Sequence, residues 1–351
     1  MSKETIEWLN TQILVDGSLG RPWWEKEALQ LGQSEPTIYS GPVPVADIER
    51  RLFNFTLESA PVYIAIPAGM DDATGIGPDG SPVQFVKCED RQGIYRSDNH
   101  GTLGIFKLGY VAHQYTSDLV ATIRTLTADN LLTVQSAGLL QGGAQAWVQV
   151  AQHAASIITP EGVEFRPYLL GFTSANGSLS TGFTEVVGLS VCDNTMAANR
   201  AEGRGEIRAR HTTNSLAKIH NAAIAYARLD GVAEEFAALI AQECSTAVTP
   251  AQWSAVLNAL VPVPEDKGKG QTMANNKRDE LVSLYRSDPR CAQWTGTAFG
   301  VRQTFNTYGQ HSAIVRGAHR AERNIANTLT GKIASDDAEV MATLEKVLAA
   351  A

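Results

Sequence analysis

Cysteine, histidine and two runs of arginine are the side chains in this sequence whose types and order could do chemistry. Cys192, Asp193, Asn194 and Thr195 close an apolar run, and His211 or His153 could act as base for a Cys192 thiol nucleophile. The same residues have a plainer use. A cysteine ending an apolar strand is commonly a small buried hydrophobe, and Asp, Asn and Thr suit a helix start. The functional alternative is that their side chains, with the adjacent amides, hold a phosphate. Arg200, Arg204, Arg208 and Arg210 follow, interrupted by Glu202 and Glu206, and a strand there would put Arg208 and Arg210 on one side. Arg316, Arg320 and Arg323 stand at i, i+4 and i+7, one face of a helix, with Lys332 further on. Such rows can track phosphates or face water. Lys267 and Lys269 sit in a polar segment and could assist.

Several chemistries lack their signatures. GxSxG, HExxH, a Walker A loop and a strand-linked GxGxxG are all missing, which removes the common hydrolase, metalloprotease and nucleotide-loop readings. Asp71 and Asp72 match no calcium-loop order. Cys88, Cys192, Cys244 and Cys291 form no CxxC pair and no zinc spacing, so neither metal nor cofactor is expected, and disulfides are not expected either.

The 351 residues, 44% hydrophobic and 19% charged, carry a formal net charge of -8. That balance opposes coating duplex DNA by bulk charge. The charge is uneven, at about -10 over residues 1–199, about +5 over 200–332 and about -3 beyond. A polar N-terminus and the lack of a long apolar run lead us to expect a cytoplasmic protein with no membrane association.

The elements that must position these side chains divide into three stretches. Residues 1–44, rich in Gly, Pro and Trp, suggest an extended arm in which Trp23 and Trp24 need a surface to lie on. Residues 45–212 suggest a β-rich α+β core. A helix is expected from Val45 to Leu57 and strands at Val62–Pro67, Val83–Glu89, Gly93–Arg96 and Leu103–Tyr110, followed by a helix over Tyr115–Asp129. Leu131–Leu140 and Ala144–Ala151 flank Gln141-Gly142-Gly143, which suggests a type I′ hairpin. Val163–Ser174 and Leu179–Cys192 suggest a second antiparallel pair. Residues 213–351 are expected to be helical and packed on that core, with Pro262–Asn276 as a flexible loop and a last helix starting at Ser335-Asp336-Asp337.

The strand and corner GLSVCDNTMAAN (Gly188–Asn199), the basic strand ending in Arg210-His211-Thr212, and the hairpin SAGLLQGGAQAWV (Ser136–Val148) carry a family resemblance. Weaker matches are Trp24, Leu103-Gly104 with Tyr110, GTAFGVRQTFNTYGQH and ANTLTGK, so that the likeness runs from about residue 23 to 332. The chain resembles the phage/plasmid-like family called domain of unknown function 932 (DUF932). It departs from the family at Ala175-Asn176-Gly177-Ser178, where an aspartate-glycine turn following a histidine is usual. The resemblance implies carriage on mobile elements, with no established activity. By analogy of fold class and setting, single-strand annealing proteins set the leading expectation: a nucleic-acid-binding protein that anneals or protects single-stranded DNA without a chemical step, as a homo-oligomer. Arg208, Arg210, Arg316, Arg320, Arg323, Lys267 and Lys269 would contact phosphates, and Tyr168 and Trp147 are possible stacking surfaces or core. The rivals are an enzyme or host-defence antagonist using the Cys192–Thr195 corner and His211, and a structural self-assembling protein.

Overall fold

A computed structural model describes residues 13–19, 35–128, 131–152, 156–189, 194–197, 207–211, 229–315 and 320–350. Its strands are β1 (Ile13–Asp16), β2 (Ile38–Tyr39), β3 (Leu57–Pro67), β4 (Gly75–Ile76), β5 (Pro82–Arg96), β6 (Thr102–Lys107), β7 (Leu132–Leu140), β8 (Gln145–Gln152), β9 (Ile157–Ile158), β10 (Glu164–Ser174), β11 (Thr181–Leu189), β12 (Asn194–Ala197) and β13 (Ile207–Ala209). Its helices are α1 (Val45–Arg51), α2 (Ala121–Leu126), α3 (Leu229–Ser245), α4 (Pro250–Leu260), α5 (Lys269–Ser287), α6 (Ala298–Thr307), α7 (Arg320–Leu329) and α8 (Lys332–Ala349). The class is α+β, with sheets in the first half and helices in the second.

The main sheet runs β12-β11-β10-β8-β7-β1-β2, with β13 on β11 and β9 on β10. Every pairing is antiparallel except β1 with β2. Alternation along the strands sends Leu14, Leu139, Val148, Leu169 and Phe183 to one face and Ile13, Leu140, Trp147, Leu170, Phe172 and Val186 to the other. Both faces are covered, so these strands are apolar on both sides. The first face meets α1, the π-helical turn Tyr115–Val120 and α2, and the second meets Ile325 and Leu329 of α7. At the far end of the first face, Phe165 and Val187 pack on Val232, Phe236 and Ile240 of α3 and on Phe299 of α6.

Both expected hairpins form, with a correction at the first turn. Leu140 pairs with Gln145, so four residues make the connection, and Gln141, Gly142 and Gly143 all have positive φ, at 52, 67 and 94°. The longer turn is held from outside. Arg96 donates to the Gly142 carbonyl at 2.8 Å and the Tyr115 hydroxyl donates to that of Gly143 at 2.7 Å. The extended segment near the N-terminus is built into the sheet, since Ile13 pairs with Gly138. Trp23, Trp24 and His153 lie outside the described residues.

A second sheet is a long ribbon of β3 and β5, joined by β4 near its tip and β6 near its base. The two strands expected over 83–96 are one strand of 15 residues with a register shift opposite Pro61–Tyr63. The expected α1 is shorter than Val45–Leu57, because Leu57 begins β3.

In the helical half, α4 starts as its sequence suggests, with Pro250 in the first turn and a reciprocal Thr249–Gln252 capping box. Two boundaries differ from expectation. The polar stretch expected to be a loop to Asn276 is helix from Lys269, because Leu281, Leu284 and Tyr285 anchor the later turns and the helix extends back from them. The last helix begins at Lys332, after Gly331 at φ 74°, so Ser335 lies inside its first turns rather than capping it. Only 320–329 of the helix expected over 313–329 is described as helical, and residues 212–228, where a helix entry is expected, lie outside the described residues. Among the described residues no helix is long and apolar enough to cross a membrane.

Candidate functional site

A helix leaves its last carbonyls without partners and presents the negative end of its dipole there, so cations collect at C-termini. Here α6 runs into a π-helical turn, Tyr308–Ser312, and α7 lies against it. Arg320 donates to the Gln310 carbonyl at 3.3 Å, Arg323 to the Gly309 carbonyl at 2.5 Å, and Asn324 to Gln310 at 3.0 Å. Burial draws Arg320 below the ordinary arginine value, and burial together with the neighbouring Arg320 charge does the same to Arg323. Neither arginine has an ion-pair partner among the described residues.

Arg323, Gly309 and Gln310 border an open cavity of about 340 Å³ between α5, α6, α7 and α8. Arg323, Lys277, Lys332, Tyr308, Asn306 and Asp336 contribute to its wall. Lys332 is paired with Asp336 at 2.8 Å, whereas the Lys277 ammonium lies 5.4 Å from the centre of the Tyr308 ring. Asn306 donates to Asp337 at 3.1 Å and Gln310 donates to Asn306 at 2.6 Å, which fixes the polar floor. The Nε of Arg323 is buried with no hydrogen-bond partner among the described residues. A buried donor left unmade is costly, and an anionic oxygen in the cavity would satisfy it.

The other sequence candidates do not all join this place. Arg316 is outside the described residues. Lys267 is exposed just before α5, and Lys269 begins that helix about 12 Å along the axis from Lys277. The main chain of Arg208 pairs with Gly182 on β11, and Arg210 is exposed beyond β13. Neither lines the cavity. Trp147 is 4% exposed inside the apolar cluster under α7, and Tyr168 packs against the same cluster, so Trp147 is core rather than a stacking surface. The sequence does not single out Lys277, which stands in the polar run Asn275-Asn276-Lys277-Arg278-Asp279-Glu280.

Asn194 and Thr195 pair with Leu189 and Gly188 as strand residues, which corrects the expected helix start at this corner. Cys192 and Asp193 lie outside the described residues. His211 stands in a stacked column. Its Nε2–H donates to the Leu179 carbonyl at 2.9 Å, and its ring centre is 5.0 Å from Tyr110 and 4.5 Å from His113. Tyr110 in turn stacks on Phe106 at 3.9 Å. His113, which the sequence did not single out, is 0% exposed, with Nδ1 2.6 Å from the Thr181 hydroxyl, itself 2.6 Å from that of Thr173.

Burial, then the neighbouring His211, pushes His113 down to about 4, and burial also lowers His211. Both rings are therefore neutral at pH 7, packed as structural members of the sheet's first face. The consequence for stability has a definite sign. An unfolded chain takes up the His113 proton below about 6.5 while the native chain resists it until about 4, so the contribution is complete above 6.5 and is lost as the pH falls through that interval. Between pH 7 and 4.5 this group should remove about 2 kcal/mol of unfolding free energy. Urea titrations at the two pH values check it, and His113→Gln should lose that part of the acid sensitivity.

Among the described residues no group of His, Cys, Asp and Glu is arranged to hold a metal ion. No curated protein and no solved structure matches the chain significantly. The sequence profile of a domain of unknown function, DUF932, matches residues 102–329, from β6 to the end of α7. This span takes in the histidine column and the arginine pair but stops short of the β3–β5 ribbon on one side and α8 on the other, narrower than the likeness expected from residue 23. It still covers well over half of the 351 residues, and the chain therefore belongs to the DUF932 family.

Proposed function

We propose that this protein binds single-stranded nucleic acid through the cavity beside α7, as part of the DNA-handling equipment of a phage or plasmid, annealing or protecting strands without a chemical step. The observation that carries the reading is Arg323: a guanidinium with no carboxylate partner among the described residues and a buried Nε–H that lacks an acceptor, set in the wall of an open cavity. Arg320 beside it and Lys277 across the cavity add charge of the same sign. A phosphodiester oxygen supplies the missing acceptor, and a strand supplies several along one line. Lys267 and Lys269 are exposed and would extend the contact, and Tyr308, whose ring centre is 5.4 Å from the Lys277 ammonium, is an aromatic in the same wall.

Fluorescence anisotropy of a labelled single-stranded oligonucleotide across a salt series tests this. Affinity should fall as salt rises, and Arg323→Ala should weaken binding about tenfold and flatten the salt slope by roughly one contact. Because Arg323 also holds the Gly309 carbonyl, Lys277→Glu is the second variant. It should weaken binding without moving the unfolding midpoint. Absence of binding at low salt, or binding that ignores both changes, overturns the reading.

A further inference from the structure

The distal part of the β3–β5 ribbon exposes apolar side chains on both faces, with Lys87 and Gln84 of β5 among them. Ile64 is 57% exposed and pairs with Val86 on one face, and Tyr63, 53% exposed, shares the other with Phe85. Ile66, Met70 and Ile76 are exposed on the same ribbon. An isolated two-stranded ribbon is marginal in water, and an uncovered edge strand invites another strand. Among the described strands β3 pairs with β5 alone, so its other edge is open.

The hydrogen-bonding direction along that edge follows from its two ends. At the base, Leu57 turns its N–H and C=O away from β5, to the Gln114 side chain at 2.9 and 2.8 Å. At the tip, the Ala68 N–H bonds across to the Pro82 carbonyl at 3.2 Å. Odd-numbered residues therefore present their backbone groups outward, and even-numbered ones bond to β5. Pro61 and Pro67 are both odd, so neither offers a donor, and they bracket an edge whose outward N–H groups belong to Tyr63 and Ala65. Nothing from Ser59 to Gly69 is charged.

The bracketed segment, Pro61-Val62-Tyr63-Ile64-Ala65-Ile66-Pro67, is symmetric in character about Ile64. Turned antiparallel against itself, it sets proline opposite proline, Val62 opposite Ile66, the large Tyr63 opposite the small Ala65, and Ile64 opposite Ile64. We propose that β3 is a self-association edge, by which two copies of this chain join through Pro61–Pro67 around a twofold axis at Ile64. Tyr63 of each copy exchanges both backbone hydrogen bonds with Ala65 of the other, and the prolines end the ladder on either side. The result is a four-stranded sheet in the order β5, β3, β3 and β5, with Val86 and Ile64 of both copies on one face. A second copy is the occupant because an uncharged, twofold-symmetric strand is its own complement on a chain whose net charge of -8 otherwise keeps copies apart. The ribbon lies outside residues 102–329, so this pairing is a property of this chain rather than of the matched family span.

Sedimentation equilibrium of the full chain should give twice the chain mass at micromolar concentration. Ala65→Pro removes an outward N–H and leaves the bonds to β5 untouched, so it should give the monomer mass with unchanged circular dichroism. For register, Ile64→Cys should form a disulfide-linked dimer under mild oxidation, since Ile64 opposite itself is a close pair without hydrogen bonds, while Ser59→Cys should not. A monomeric wild type, a dimer that survives Ala65→Pro, or cross-linking no faster at 64 than at 59 each overturns the proposal. Lys277→Glu should leave the dimer intact, which separates this pairing from the nucleic-acid reading.

Discussion

Glu243→Ala should lower the unfolding free energy by about 3–5 kcal/mol, because it takes the Glu243 carboxylate away from a guanidinium buried in the interior. Glu243 on α3 and Arg302 on α6 form an ion pair at 4% and 2% exposure, between the helix that covers the sheet and the helix that leads to the arginine cavity. Taking both ions out of water costs nearly what their attraction returns, so the pair itself adds little over apolar residues of similar size. Removing one partner is different. The Arg302 guanidinium stays buried without its carboxylate, and the missing side chain leaves a void as well. The double replacement Glu243→Leu with Arg302→Met should therefore recover most of the loss. Urea unfolding with unchanged slope measures both, and a loss under about 1 kcal/mol for the single variant would contradict the account.

The sheet was legible because its signals are local. Gly142 and Gly143 announce positive φ, and Gly177 marks the next turn at φ 69°, so both hairpins follow from neighbouring residues. Val232, Phe236 and Ile240 likewise outline the buried stripe of α3. Helix α6 shows where local signals stop. Arg302, Gln303, Thr304, Asn306 and Thr307 are all buried, though their types suggest a surface. What buries them is the packing of α3, α5 and α8 around α6, contacts far apart in sequence. The arginine row on α7 was visible at its spacing, but its use was not. Arg320 and Arg323 hold the carbonyls of the preceding turn, and that turn is itself an irregularity that no pattern announces. His113 gives no signal either, since a lone histidine between Ala112 and Gln114 has no period. Its partners Thr181 and His211 reach it only through sheet pairing and the chain beyond β13.

The same substitution should have opposite effects at two helical glycines, and the contrast tests how α6 is seated. Alanine favours a helix over glycine by up to about 1 kcal/mol. Gly231, near the start of α3, has nothing among the described residues within 4 Å of where a Cβ would stand, so Gly231→Ala should stabilise by about 0.5–1 kcal/mol. At Gly300 a Cβ would lie on the Trp294 carbonyl, within 2.8 Å of its carbon. That carbonyl cannot easily retreat. The Trp294 indole donates to the Glu161 carbonyl at 3.1 Å and meets Phe299 edge-on at 4.9 Å, and the Thr297 hydroxyl donates to the same Trp294 oxygen at 2.7 Å. Thr297 also accepts from the Gly300 amide at 3.1 Å, so the cap and the close approach are one structure. Overpacking a fixed backbone costs about 1–3 kcal/mol or more, which outweighs the helical gain, and Gly300→Ala should destabilise by about 2 kcal/mol. Since α6 carries Asn306 and leads into the turn that holds Arg320 and Arg323, the displaced helix should also weaken oligonucleotide binding, while Gly231→Ala leaves it unchanged. Thermal and urea unfolding of the two variants side by side give the signs, and a stabilised Gly300→Ala would mean that α6 does not rest on Trp294.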